Sequence, residues 1–277
     1  MKLFFFNVIG TTVIQIVGLL GTFFFIGFLL SKIQERTQQA YRAVVGWKGI
    51  LWTAWFGTPL HEFGHIIFAK IFRHRVEEIS LFRPNKTTGT LGHVSHSYNP
   101  KSLYQQIGNF FIGGAPMIFG VLLLSFLGYI LLPDGKTLFS PLVAIDEPMT
   151  VAALFLFIRH ILAIFFDPAS LTRWHFWLFL YVSFCVATHI APSKEDRSNM
   201  WKGLGWIIVL LFFINMITLL FGQDITTRVL ALRAYTGIMI GMFVYTLFIA
   251  LFHFLLVWCV FAPIRLIQRK RHKRIVL

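Results

Sequence analysis

From Leu3 to Ser31 the chain carries no charged side chain. A helix needs about 20 apolar residues to cross the hydrocarbon core of a bilayer, so the run Leu3–Ile33 predicts a tilted transmembrane helix. It is far longer than the core of a signal peptide and lacks a clear small-residue exit, so it is expected to be retained. Five further runs follow, roughly Ala43–Phe72, Ile107–Leu132, Trp174–Ile190, Trp201–Phe221 and Gly237–Phe261. A shorter one, Val151–Phe166, is interrupted by Arg159 and His160. Only 13% of the residues are charged, where a soluble domain carries about 25%. A soluble enzyme, a disordered tail and a disulfide scaffold are therefore excluded. The expectation is an all-α polytopic membrane protein of about six transmembrane helices in a single domain. Within it, residues 1–42 form an N-terminal helix and loop, 43–200 a core, and 201–277 the C-terminal helices with a basic tail.

Lys and Arg number 25 against 11 Asp and Glu, a net charge of +14. In a soluble chain such an excess would suggest nucleic acid, but base readout needs a recognition element that is not visible here. The cations lie instead in loops and at the C-terminus, where they set orientation. If Val151–Phe166 does not cross, the N-terminus, the segments 70–103 and 191–202 and the tail share one side. That side holds 16 of the 25 Lys and Arg residues. Both termini are thus expected in the cytoplasm, as in a multi-pass protein of a bacterial inner membrane. The tail, Arg265 and Arg269 to Arg274, would meet anionic headgroups. Cys185 and Cys259 form no C-x-x-C pair and indicate no thiol metal site. The sequence specifies no oligomeric state.

Between the second and third runs, Val76 to Asn99 is rich in Thr, Ile, Leu and Val, with Pro84, Asn85 and Gly89 as breaks. This is strand-and-turn composition. Open strand edges are not tolerated against lipid, so one or two β-hairpins are expected at the interface or in a protein-lined cavity.

The second run contains His61-Glu62-Phe63-Gly64-His65. Residues i and i+4 lie one above the other on a helix, so both imidazoles can reach one zinc ion. Glu62 beside them can take a proton from a zinc-activated water as general base and return it to the leaving amine. An ionisable residue inside a membrane helix is expensive and marks a functional site by default. Glu62 is the one acid lying well inside a confident apolar run.

Thr58-Pro59-Leu60-His61-Glu62-Phe63-Gly64-His65 in an apolar helix resembles the site-2 protease family of intramembrane zinc metalloproteases. The β-rich segment after that helix is similar to the family's membrane-associated β-loop. Gly113-Gly114-Ala115-Pro116 is similar to its small-residue motif, though displaced. The likeness covers roughly residues 43–200 and is specific at His61–His65. The family's usual L-D-G or N-P-D-G motif for the third ligand is missing, and no PDZ insertion is visible. The resemblance implies a Zn2+ endopeptidase that cuts a membrane-protein substrate within or beside its transmembrane segment.

A catalytic zinc keeps three protein ligands and an open position. The third ligand must return to the cytoplasmic side, where His61 and His65 lie. Two residues at or just beyond the end of the Trp174–Ile190 run qualify. Asp196 resembles the family's aspartate by its place, but Ser193-Lys194-Glu195-Asp196 also reads as the capped start of a helix. His189 is the alternative. Were Val151–Phe166 to cross the membrane, both would emerge on the wrong side, so that segment is read as re-entrant or interfacial. Asn109 and His93 are candidates for contact with substrate, with His96 beside them. Gly113 and Gly114 suit close helix packing, and His253 suits a bond to a neighbouring helix. Two other classes stay open: an idle membrane scaffold of protease ancestry, and a transporter conducting metal or protons.

Overall fold

Val45 and Gly46 alone separate the first two helices, α1 (Lys2–Val44) and α2 (Trp47–Ile71). Gly46 has φ +77°, a left-handed conformation that a residue without Cβ adopts freely, and the chain reverses there. An antiparallel hairpin, β1 (Arg75–Ser80) and β2 (His93–Ser97), follows. Next comes α3 (Leu103–Leu131), capped by Ser102, whose side chain accepts from the Gln105 amide. The short α4 (Ser140–Val143), α5 (Val151–Phe165), α6 (Pro168–Leu171) and α7 (Trp174–Ala187) lead to α8 (Lys194–Leu220), α9 (Thr226–Ala231) and α10 (Thr236–Ile275). This computed structural model describes residues 2–143, 150–231 and 236–275. The side chains of the basic tail from Arg265 onward, and so the expected headgroup contact, lie outside the described residues.

The chain is predominantly helical with one small sheet. Among the described residues four helices are long and apolar enough to cross a membrane: α1, α3, α8 and the Gly237–Ile264 part of α10. The expected count of six full-length spans is not reproduced on that criterion. The second run does form one helix of 25 residues, but the histidines, Glu62 and Pro59 reduce its hydropathy. The Trp174–Ile190 run forms a helix of only 14 residues, about 21 Å long, against a hydrocarbon core of about 30 Å. α5, at 15 residues, is similarly short. Its Phe157, Ile161 and Phe165 enter the main core beside Leu124 of α3, Phe179 of α7 and Ile249 of α10. The opposite face leaves Val151, Phe155 and Leu156 exposed. Phe6, Phe25, Trp177 and Phe213 are likewise exposed on α1, α7 and α8, a surface suited to lipid and not to water.

Inside this apolar assembly a polar clasp joins α1 to α8. Gln15 Nε2 donates to Asn215 Oδ1 at 3.0 Å, and Asn215 Nδ2 donates to Gln15 Oε1 at 2.9 Å and to Thr12 Oγ1 at 3.0 Å. Both amides are buried, so each supplies what the other would otherwise lack.

The helices that frame the site approach closely because glycine stands at each crossing. A Cβ on Gly57 of α2 would overlap the Cys185 carbonyl, and one on Gly64 would sit 3.3 Å from the Ala115 and Pro116 backbone of α3. A Cβ on Gly113 of α3 would overlap the Asp196 carbonyl of α8. The expected packing role of Gly113 is thus what its surroundings require.

Candidate metal centre

On α2 the rings of His61 and His65 meet edge to face on one side of the helix, and their Nε2 atoms are 3.2 Å apart. Asp196 completes a triangle. Its Oδ2 is 3.4 Å from His61 Nε2, and its Oδ1 is 3.2 Å from His65 Nε2. Tetrahedral ligands at about 2.0–2.1 Å from zinc stand about 3.3 Å from one another. The three side chains therefore fit one such ion, with a fourth direction left over. This is the one group of metal-binding side chains found among the described residues.

Asp196 arrives by way of a helix start. Ser193 caps α8: its hydroxyl accepts from the Asp196 amide, and Asp196 Oδ2 accepts from the Ser193 amide at 2.8 Å. The capping box and the place beside the two histidines, alternatives on the sequence, belong to the same carboxylate. The apolar run on the sequence begins only at Trp201, whereas the capping box already sets the helix start. The helix begins at Lys194, because the cap, not the onset of apolar residues, decides where a helix starts.

Both imidazoles are held in the tautomer that a metal needs. His61 Nδ1–H donates to the His189 carbonyl, and His65 Nδ1–H donates to the Ile112 carbonyl at 2.9 Å. Each bond leaves Nε2 free as a ligand, the usual outer-shell arrangement of a metal-binding histidine. Two features of the chain free these carbonyls. Residue 116, whose N–H would bond Ile112 in a regular helix, is proline, which has none. His189 lies just past the end of α7, where carbonyls lack helical partners.

The segment that presents His189 is tied to α1. Gln38 Nε2 donates to the Thr188 carbonyl at 3.1 Å, and Gln34 Oε1 accepts from the Ala191 amide at 3.0 Å. These two glutamines and the two carbonyls escape motif reading. Only Pro116, four residues after Ile112, leaves a trace in the sequence.

Glu62 is 6% exposed and makes no hydrogen bond among the described residues. The hairpin covers it: a Cβ on Gly92 would lie 3.1 Å from Glu62 Cγ. His93 follows Gly92 and is exposed, with Nε2 3.2 Å from Glu78 Oε1. His96 faces the other way, its Nδ1 3.0 Å from His74 Nδ1, while His74 Nε2 donates to the Gln105 carbonyl at 2.9 Å. Burial, followed by repulsion from His74 and His65, pushes His96 down from 6.5 to about 4, against the weaker pull of Asp196 and Glu77. Burial also pushes His74 down.

The remaining candidates lie elsewhere. The His189 imidazole is outside the triangle, with Nε2 bonded to Thr53 Oγ1 at 3.1 Å. Asn109, 1% exposed, has neither amide atom partnered among the described residues, and it does not line an open face. His253 bonds Tyr41 at 2.9 Å. Comparison with protein-family models, curated proteins and solved structures finds no match.

Proposed function

We propose that the chain is an intramembrane zinc endopeptidase of the site-2 protease kind, cleaving a membrane-protein substrate. The observation that supports this best is the triangle of His61, His65 and Asp196, with both Nδ1–H groups already committed to backbone carbonyls. Zinc, when bound by these three, supplies a Lewis acid that acidifies water and polarises a peptide carbonyl. Glu62, next to His61 and without a hydrogen bond among the described residues, takes the proton from the attacking water. It then delivers that proton to the departing amide nitrogen. Gly92 and the hairpin keep bulk water from the carboxylate. The substrate must be locally extended, because helical carbonyls are already bonded, and an exposed strand edge can accept such a segment. In this reading α2 and α7 complete a set of six membrane segments. Both termini and the hairpin lie on the cytoplasmic side of a bacterial inner membrane.

The test uses purified wild type and Glu62→Gln, reconstituted with single-span reporter substrates. Both proteins should hold one zinc per chain, and only wild type should cleave. Cleavage by Glu62→Gln, or metal-free wild type, would overturn the reading.

A further inference from the structure

Beside the hairpin lies an open cleft of about 470 Å³, lined chiefly by Arg83, Asn85, Lys86, Thr90, Gly92 and His93. Among the described residues no acidic side chain lines it, and the neighbouring Glu78 is engaged with His93. The loop around it is well ordered by its own bonds. The Arg83 amide donates to the Leu91 carbonyl at 2.7 Å, and the Asn85 amide to Thr90 at 2.8 Å. Asn85 Oδ1 accepts from the Thr87 amide at 2.9 Å. The backbone that carries two exposed cations, Arg83 and Lys86, is thus fixed beside Gly92, which itself packs on Glu62.

We infer that this cleft selects substrates carrying an acidic segment next to the cleaved span, on the hairpin side of the membrane. The inference rests on the protease reading and adds its substrate class. Gly92 serves both the cleft wall and the cover of Glu62, so a peptide running out from Glu62 passes Arg83 and Lys86. Membrane proteins ordinarily carry Lys and Arg on their cytoplasmic flank. Such flanks are repelled here, and the uncommon acidic flank is attracted, so the loop discriminates in both directions. An anionic lipid headgroup is the competing occupant. The position of the cleft, against the cover of the general base, favours the peptide.

The experiment compares three reporters that share one span and differ only in a flank that is acidic, neutral or basic. Cleavage is followed in vesicles of phosphatidylcholine, with and without phosphatidylglycerol. Binding is followed in parallel by photo-crosslinking the same reporters to Glu62→Gln. The acidic flank should be favoured about fivefold over the basic one, as two exposed charge pairs allow. Arg83→Glu/Lys86→Glu should reverse the order, and added salt should flatten it. Equal handling of the three flanks, or an unchanged order in the double variant, overturns the inference. So does a preference that follows the phosphatidylglycerol content and not the flank. If no reporter is cleaved, the protease reading fails, and the crosslinking order alone decides the cleft.

Discussion

His61 Nδ1–H donates to the backbone carbonyl of His189 across 2.6 Å. His189 thus serves the centre through its main chain, and replacement of its side chain leaves that acceptor in place. His189→Ala should retain zinc. Asp196→Ala removes a ligand and half of the α8 cap together, and should lose it. Metal analysis of the two purified variants decides: the opposite pattern would make the imidazole of His189 the ligand.

Pro116 is expected to support zinc affinity from outside the ligand set. Pro116→Ala restores an N–H that competes for the Ile112 carbonyl, the acceptor of His65 Nδ1–H. Loss of such an outer-shell bond costs about 10- to 100-fold in metal affinity. α3 itself should gain stability, since a proline inside a helix is unfavourable. Zinc titration against a competing chelator, paired with thermal unfolding, should show the two effects moving apart.

Gly113→Ala should loosen the α3–α8 crossing. The added methyl meets the Asp196 carbonyl and Met200, and overpacking of this kind costs about 1–3 kcal/mol. Both zinc content and unfolding temperature should fall. A variant with normal values for each would show that α8 can shift without moving Asp196.

Acid should release the hairpin. His96 titrates at about 4 in place and at 6.5 when free. Between those values a released hairpin binds a proton that the docked one refuses. Docking therefore has its full strength above about 6.5 and loses it as pH falls towards 4. Limited proteolysis between Leu81 and Gly92 should accelerate over that window, and less so in His96→Phe. A His96 resonance titrating near 6.5 would refute this.

Orientation is open to direct measurement. Reporters fused after Leu277 and inserted near Lys86 should both report the cytoplasm. A split result would refute six membrane segments.

His61, Glu62 and His65 were legible because one turn of helix converts a spacing of four into a shared face. The lengths of the apolar runs likewise announced the long helices. Asp196 was only half legible: cap and ligand looked like rival explanations of a single carboxylate. Three-dimensional packing lets Oδ2 accept from the Ser193 amide while both oxygens face the histidines. The carbonyls of Ile112 and His189 were not legible, since a main-chain acceptor has no letter of its own. The length of the Trp174–Ile190 helix was not legible either, since hydropathy continues past the helix end at Ala187.

The clasp between Gln15 and Asn215 joins residues 200 positions apart. α1 is synthesised before α8, so its Gln15 amide has no Asn215 to bond until α8 has been made. Gln34 and Gln38, at the other end of α1, wait likewise for the Thr188–Ala191 segment, which is made just before α8. Assembly of the His61–His65–Asp196 triangle is therefore a late event, and a chain interrupted before α8 can neither close the clasp nor supply Asp196.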